Sequence, residues 1–200
     1  MIQLRTNPSP PIIQDDSGIQ VFSERGDLRS RVRIRENSWC YGLAEDGEKR
    51  LWFIDFNRRA KETSLTCIDQ GKELQHKSLK EIVGDRIRES KCRFLTFSKG
   101  ELYVTDLGLN QIYILNPNNF ESVRIFGSSG AGDGQFNDPA GVAVDGVGNI
   151  VVADSRNNRL CLHDKNGKWI RNIKERQVSN SVIHIWLFFI FDKLCSAASS

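Results

Sequence analysis

Short apolar runs that end in aspartate recur along the chain at nearly equal spacing. The runs are LWFID at 51–55, LYVTD at 102–106 and IVVAD at 150–154. Runs of this length, bounded by polar turn residues and rich in β-branched and aromatic side chains, predict short β-strands. Their aspartates are 51 and 48 positions apart. A strand-rich repeat of this period is typical of β-propeller blades.

Two longer segments support the same repeat. GLAEDG at 42–47 and GVAVDG at 141–146 stand at the same distance before an aspartate-ended run, so the two copies align without a gap. Residues 19–26 resemble residues 160–167, and each is a short strand running into a glycine-containing turn. The chain is therefore expected to begin near the end of one blade.

The repeats divide the chain into three parts. Residues 1–17 are a loose, proline-rich lead-in, residues 18–173 carry the repeats, and residues 174–200 form an apolar tail without repeat landmarks. This tail either covers the last blade or is a non-native end. We place the repeats at about 29–76, 77–124 and 125–173.

One segment between the first two repeats has a different periodicity. Leu79, Ile82, Val83 and Ile87 recur at helical spacing. They predict a short amphipathic helix or an inserted loop, and Gly84 weakens the helix where it falls.

Composition restricts the function only slightly. The 200 residues are 39% hydrophobic and 26% charged, with a formal net charge of +3. These values are ordinary for a globular domain. The small basic excess permits nucleic-acid or acidic partners without implying them.

The cysteines and apolar segments bear on the compartment. The five cysteines are Cys40, Cys67, Cys92, Cys161 and Cys195. None has the spacing of a zinc knuckle or a redox motif, so we expect buried free thiols in a reducing compartment. The N-terminus has no apolar core of a signal peptide, and the apolar run 182–191 is shorter than the roughly 20 residues of a membrane helix. We therefore expect a cytoplasmic protein that makes no membrane contact.

The densest motif gives a family resemblance. GSSGAGDGQFNDP at 127–139 is followed by GVAVD at 141–145, GNI at 148–150, VADS at 152–155 and NRL at 158–160. This order closely resembles the NHL repeat. The resemblance implies four antiparallel strands per blade and commonly six blades per ring. The fold class that we expect is thus all-β, an incomplete propeller of about three to four blades.

The resemblance also implies the kinds of partner. NHL propellers commonly follow RING, B-box and coiled-coil segments in tripartite-motif ubiquitin ligases. The spacing of the cysteines in this chain excludes a RING. Some NHL propellers bind single-stranded or hairpin RNA on a basic face, and others bind proteins.

Two motifs have both a chemical and a structural interpretation. Gly127 and Gly132 have the separation of a phosphate-binding loop, but Asp133 stands where that loop needs lysine. We interpret the glycines as a tight connection between blades. Asp55, Asp106 and Asp154 could ring a metal ion. Because they recur with the fold, we instead expect each to hold its own turn by accepting backbone N–H groups.

A basic surface is the main candidate for binding a nucleic acid or another partner. Arg29, Arg31, Arg33 and Arg35 alternate with other residues, so they share one face of a strand. The other candidates lie in turns and are Arg58, Arg59, Lys61, Arg156 and Arg159. These residues either contact phosphates or form a solvated face. Trp39 and Tyr41 are the nearest aromatic candidates for stacking on bases. Arg159 also has an interpretation in which it braces its turn.

The histidines form no catalytic set at a recognisable spacing. We expect no catalytic residue, no cofactor, no metal and no small-molecule substrate. Two binding hypotheses remain. The first is a non-catalytic protein-interaction or substrate-recruiting module related to RING and tripartite-motif ubiquitin ligases. The alternative is an RNA-binding propeller that acts in post-transcriptional regulation. A third hypothesis, a six-bladed hydrolase or lyase, requires a metal ring in the central channel.

Overall fold

The computed structural model describes residues 2–4, 18–22, 25 and 27–173. Over these residues the chain consists mainly of β-strands. Their bounds are β1 Ile2–Leu4, β2 Gly18–Phe22, β3 Leu28–Arg33, β4 Ser38–Glu45, β5 Leu51–Asn57, β6 Glu62–Asp69, β7 Lys72–Ser78, β8 Cys92–Ser98, β9 Glu101–Asp106, β10 Gln111–Leu115, β11 Ser122–Phe126, β12 Pro139–Val144, β13 Ile150–Asp154, β14 Arg159–His163 and β15 Trp169–Ile173. The α-helix α1 spans Leu79–Val83, and 3-10 turns span Gly84–Arg88 and Ser155–Asn157.

Each strand pairs with its sequence neighbours in an antiparallel sheet. Strands β1–β3 form a three-stranded sheet, β4–β7 the first blade, β8–β11 the second blade and β12–β15 the third blade. These four-stranded meanders are the blades that the repeats predict. The described residues belong to two compact units, Met1–Gly84 and Asp85–Ser200.

The three recurring aspartates lie on corresponding strands. Asp55 is on β5, Asp106 ends β9 and Asp154 ends β13. Each of these strands is the second of its blade. The period of the sequence therefore equals the period of the sheets.

The blades begin later than the predicted repeats. The repeat placed at 29–76 starts inside β3, which pairs with β2 and belongs to the preceding sheet. A sequence period has no natural starting point, whereas hydrogen-bonded pairing decides where a sheet begins. Residues 2–4 also differ from the expected loose lead-in, because β1 pairs with β2. A three-residue strand is too short to give a periodic pattern. The tail at 174–200 lies outside the described residues.

The first unit has a core between its two sheets. One apolar cluster contains Ile19, Val32, Cys40, Leu51, Phe53 and Ile68. Trp52 is fully buried, and its indole N–H donates to the Asp46 carboxylate at 2.8 Å. Because side chains alternate along β5, Leu51 and Phe53 face the three-stranded sheet while Trp52 lies on the opposite face.

The second unit has a core between the second and third blades. Its buried residues are Tyr103, Ile112, Ile114, Phe136, Val142, Ile150, Val152 and Cys161. The His163 ring also lies here, with ring centroids 5.0 Å from Phe126 and 5.4 Å from Phe136. Both blades thus place one face of their strands in a shared core.

The helical hypothesis for the segment after the first blade is confirmed over a short range. The Ser78 hydroxyl caps α1 by accepting the Lys80 N–H at 3.3 Å. The helix ends at Gly84, which has φ 70°. Glycine adopts this left-handed backbone without a Cβ clash, so it terminates the helix where the sequence pattern would continue it. None of the helices in the described part of the chain is long and apolar enough to span a bilayer.

Four cysteines are free and buried, as expected: Cys40, Cys67, Cys92 and Cys161. Burial raises the pKa of the Cys40 thiol to about 12 and that of Cys67 to about 11. A thiol with a raised pKa forms little thiolate and is chemically unreactive. Cys195 lies outside the described residues.

Candidate partner-binding surface

The second blade uses its aspartate to hold two backbone segments. Asp106 is fully buried, and its Oδ1 accepts the N–H groups of Lys91 at 2.8 Å, Gly108 at 2.9 Å and Leu109 at 3.1 Å. These bonds join the entry to β8 with the turn after β9. In this blade the carboxylate does what we expect of a turn residue.

The third blade adds side-chain donors to the same arrangement. Asp154 Oδ1 accepts the Asn137 N–H at 2.6 Å, while Oδ2 accepts Asn157 Nδ2 and Arg159 Nε, each at 2.8 Å. The carboxylate is fully buried, so these donors replace the water that it loses on folding.

The first blade departs from this scheme. Asp55 accepts hydroxyl hydrogen bonds, from Thr66 at 2.9 Å and from Ser38 at 3.5 Å. Burial raises the pKa of this carboxyl. Strand β5 continues to Asn57, so Asp55 lies inside the strand instead of at the turn. Asn57 takes over the turn, because its Oδ1 accepts the Ala60 N–H at 2.8 Å.

Arg159 is engaged inside the third blade. Besides Asp154, its guanidinium donates to the carbonyls of Ala131 at 2.7 Å, Gly132 at 2.9 Å and Gln135 at 2.9 Å. The side chain is 16% exposed. Arg159 therefore braces the glycine-rich connection, in line with its structural interpretation, and four of its five N–H donors are already used.

The glycine-rich connection is a tight link and presents carbonyls to Arg159. Gly127 has φ 96°, and a Cβ there would stand 2.5 Å from the Phe136 ring. Carbonyl oxygens that face a guanidinium cannot also cradle a phosphate, which needs N–H donors.

Among the described residues, no group of three or more His, Cys, Asp or Glu side chains is arranged to hold a metal ion.

The four alternating arginines, Arg29, Arg31, Arg33 and Arg35, lie in two environments. Val32 is buried while Arg31 and Arg33 are exposed, so β3 alternates as expected. Arg29 occupies the same parity on β3. Arg35 lies beyond the strand, where it pairs with Glu73 at 2.7 Å and contacts His76 at 3.0 Å. This pairing lowers the pKa of Glu73.

Arg156 occupies the turn after β13 in the second unit. Its side chain is exposed and pairs with Asp138 at 2.5 Å, and its backbone N–H donates to Asn137 O at 3.0 Å. Because Asp138 offsets its charge, Arg156 adds little net positive potential to the third blade.

The first blade carries an exposed cluster of aromatic and basic side chains. Trp39 on β4 is paired with Phe56 on β5, and their ring centroids are 6.2 Å apart. The Arg58 guanidinium carbon lies 4.8 Å from the Trp39 ring centroid, a cation–π contact. Arg59 and Lys61 follow on the same turn, and both are exposed. We call Trp39, Phe56, Arg58, Arg59 and Lys61 the basic rim.

Backbone contacts fix the shape of the basic rim. The Arg58 N–H donates to Asn37 O at 2.8 Å, and Asn57 Nδ2 donates to Glu36 O at 3.1 Å. Sequence reasoning placed Trp39 near these cations but missed its stack on Arg58. Because the two residues are 19 positions apart, the contact depends on the register in which Trp39 opposes Phe56. The sequence signal that could have indicated this contact is the repeat, because it implies that β4 and β5 pair and so brings Trp39 near the turn after β5.

Comparison with known proteins agrees with the repeat pattern. Residues 136–161 match the family model of the NHL repeat. The chain is 52% identical over 44 residues to the B-box type zinc finger protein ncl-1 of Caenorhabditis elegans, covering 22% of this chain and 5% of that protein. It is 38% identical over 74 residues to NHL repeat-containing protein 3 of Mus musculus, covering 36% of this chain and 21% of that protein.

The chain carries an NHL repeat at residues 136–161. A third relative, Protein lin-41 of Caenorhabditis elegans, is 44% identical over 48 residues, which are 24% of this chain and 4% of that protein. The chain thus spans only a small part of the length of these relatives. The resemblance inferred from residues 127–160 is confirmed.

Solved structures extend the likeness in fold to most of the chain. A chain in the crystal structure of a nidogen/laminin complex aligns with TM-score 0.58 and 19% identity, covering 80% of this chain and 57% of that one. A Bacteroides thetaiotaomicron protein of unknown function aligns with TM-score 0.60 and 17% identity, covering 82% and 43%. At such identity the likeness shows the fold alone. With the four-stranded blades, it confirms the predicted fold class, an incomplete β-propeller.

Proposed function

We propose that this NHL-repeat protein is a non-catalytic module that binds another protein through the basic rim of its first blade. The single observation that supports this is Trp39, which is 44% exposed although it is the largest kind of apolar side chain. Exposed Trp and Arg side chains held in a fixed geometry are the residues that most often dominate protein interfaces.

The rigidity of the rim adds to the argument. Trp39 is held by its strand, by Phe56 and by the Arg58 stack, so little side-chain freedom remains to be lost on binding. The recurring aspartates, by contrast, are buried and occupied in holding strands and turns. We therefore assign the binding role to the ends of the sheets and a structural role to the repeated carboxylates.

The names of the relatives suggest the context. Among them are a RING finger protein, nhl-1, and a B-box type zinc finger protein, ncl-1, both of Caenorhabditis elegans. By analogy, we propose that the module recruits a substrate protein for a ubiquitin ligase of the RING or tripartite-motif type. We also propose a cytoplasmic location, which the free, buried cysteines support because oxidising compartments favour disulfides.

Quantitative affinity capture from cytosol tests the protein-binding role. Wild type, Trp39→Ala and the control Leu74→Ala are compared; Leu74 is 48% exposed on β7 of the same blade. We expect wild type and Leu74→Ala to enrich the same proteins, and Trp39→Ala to lose at least one of them. If no protein is enriched over the bead control, or if Trp39→Ala retains the full set, the proposal is refuted.

RNA is the second candidate, because Arg58 lies over the Trp39 ring and two further cations, Arg59 and Lys61, follow on the same turn. RNA binding through phosphates weakens steeply with salt. Binding of a pool of short RNAs across a salt series tests this role, with Arg58→Glu/Arg59→Glu and Arg31→Glu/Arg33→Glu as the variants. RNA bound at low salt and released by either variant would favour it, and the absence of binding at low salt would remove it.

A further inference from the structure

The basic rim carries a local excess of positive charge. Arg58, Arg59 and Lys61 lie on one turn, and Glu62 is the acidic residue beside them. In the described part of the chain, neither Arg59 nor Lys61 takes part in an ion pair. Arg35, only a few residues before β4, is by contrast already paired with Glu73. The turn therefore presents cations whose charge is not offset locally.

The Arg58 guanidinium is prepared for a planar anion. Its guanidinium carbon lies over the Trp39 ring, 4.8 Å from the ring centroid, and the Arg58 backbone N–H donates to Asn37 O. When a guanidinium stacks by its face, its N–H donors point outward in the plane of the group. This is the geometry in which arginine binds a carboxylate through two parallel hydrogen bonds.

The same stack argues against bases as the main ligand. A base binds an aromatic residue through a free ring face. One face of Trp39 is occupied by Arg58, and Phe56 lies 6.2 Å from it at a 40° tilt. Trp39 is nevertheless 44% exposed, and this apolar surface suits an aliphatic side chain.

We propose that the basic rim binds an acidic segment of a partner protein, in which Asp or Glu carboxylates alternate with an aliphatic residue. One carboxylate receives the two outward N–H groups of Arg58, and others lie near Arg59 and Lys61. The aliphatic side chain lies against Trp39. This inference rests on the proposed protein-binding role and names the chemistry of its partner.

Fluorescence anisotropy with defined probes tests the inference on the full chain. The probes are a labelled oligoglutamate peptide with a central leucine, the same peptide with lysines for glutamates, and an oligouridine RNA of equal negative charge. Arg58→Glu/Arg59→Glu is the test variant. Lys49→Glu/Lys72→Glu is the matched control, because it makes the same charge change in the hairpin turns at the other end of the first blade. Circular dichroism and melting verify that the variants fold.

We expect wild type and the control variant to bind the glutamate peptide. The test variant should bind it at least about tenfold more weakly, because charge-assisted hydrogen bonds are lost. Trp39→Leu should weaken it about threefold, since Arg58 loses its support. The lysine peptide should not bind. The inference is overturned if wild type does not bind the glutamate peptide, if the test variant binds it as tightly as the control variant does, or if wild type binds the RNA more tightly than the peptide.

The outcome separates this inference from the proposed function. If Arg58→Glu/Arg59→Glu still captures the same cytosolic proteins as wild type while Trp39→Ala does not, the module binds proteins but not through acidic segments. If neither variant changes the capture, protein binding by the basic rim fails as well.

Discussion

Acidification should destabilise the second unit through one buried histidine. His163 on β14 is fully buried between Phe126 and Phe136, and its ring nitrogens form no well-aligned hydrogen bond within the described part of the chain. Burial lowers the pKa of His163 from 6.5 to about 4. The Cys161 backbone, which lies close to the ring, only partly offsets the effect of burial. The charged groups nearest to it electrostatically are Asp164, which favours the proton, and Arg159, which opposes it. The folded state therefore holds a neutral imidazole.

The sign and size of the effect follow from this shift. The folded pKa lies below the unfolded one, so the unfolded chain takes up the proton first as the pH falls. Stability is thus full above about pH 6.5 and is lost progressively toward pH 4. A shift of about 2.5 units corresponds to about 3 kcal/mol in all, which is a large part of the usual stability of a domain.

Urea unfolding as a function of pH measures the effect, with His163→Leu as the test variant. Leucine fills the apolar cage without a proton to bind, so the loss of about 2 to 3 kcal/mol between neutral pH and about pH 4.5 should disappear. His76→Gln, which leaves His163 in place, should keep that loss. If His163→Leu loses as much stability on acidification as wild type, the buried imidazole is not its source and the reasoning is refuted.

Two further substitutions test the backbone and turn arguments. Gln111→Arg should stabilise the second blade by about 1 kcal/mol. Position 111 opposes Asp106 as Arg159 opposes Asp154, and Asp106 Oδ2 has no described hydrogen-bond partner that the new guanidinium would displace. A melting temperature that does not rise would contradict this. Gly127→Ala should lower the free energy of unfolding by about 3 kcal/mol, measured with denaturant, because φ is 96° and a Phe136 ring atom lies 2.5 Å from the new Cβ. Gly71→Ala should lower it by only about 1 kcal/mol, because φ is 84° but the space around the new Cβ is open. Equal losses would show that the ring is not the cause.

The fold was largely predictable because each blade repeats a local rule. A short, mainly apolar run before an aspartate is enough to predict the second strand of a blade. The turn residues that follow the aspartate predict where the third strand begins. The register in which Asp154 opposes Arg159 follows from that turn. The phase of the blades was not predictable, since β3 looks like the start of a repeat but pairs backward with β2.

The candidate surface was less predictable, because side-chain pairing decides which cations remain available. From the sequence alone, Arg35 and Arg159 are both candidates for the basic surface, although Arg159 also has an interpretation in which it braces its turn. The structure places Arg35 on Glu73, 38 positions away, and Arg159 on three carbonyls of the glycine-rich connection. Contacts over such distances depend on how strands come together, and no local pattern reports them. Arg58 differs because its partner is an aromatic ring, which holds the guanidinium without neutralising it.

One aspartate position receives its hydrogen-bond donors in three ways, and this bears on the proposal that the ends of the sheets bind the partner. Asp106 accepts backbone N–H groups alone, Asp154 adds Asn157 and Arg159, and Asp55 accepts two hydroxyls. A buried carboxylate at this position needs donors, because an unsatisfied oxygen, such as Asp106 Oδ2, costs about 1–3 kcal/mol. Where hydroxyls inside the first blade meet that demand, the following turn is released from it. That turn carries Arg58, Arg59 and Lys61, so the blade whose aspartate least needs its turn is also the blade to whose turn we assign partner binding.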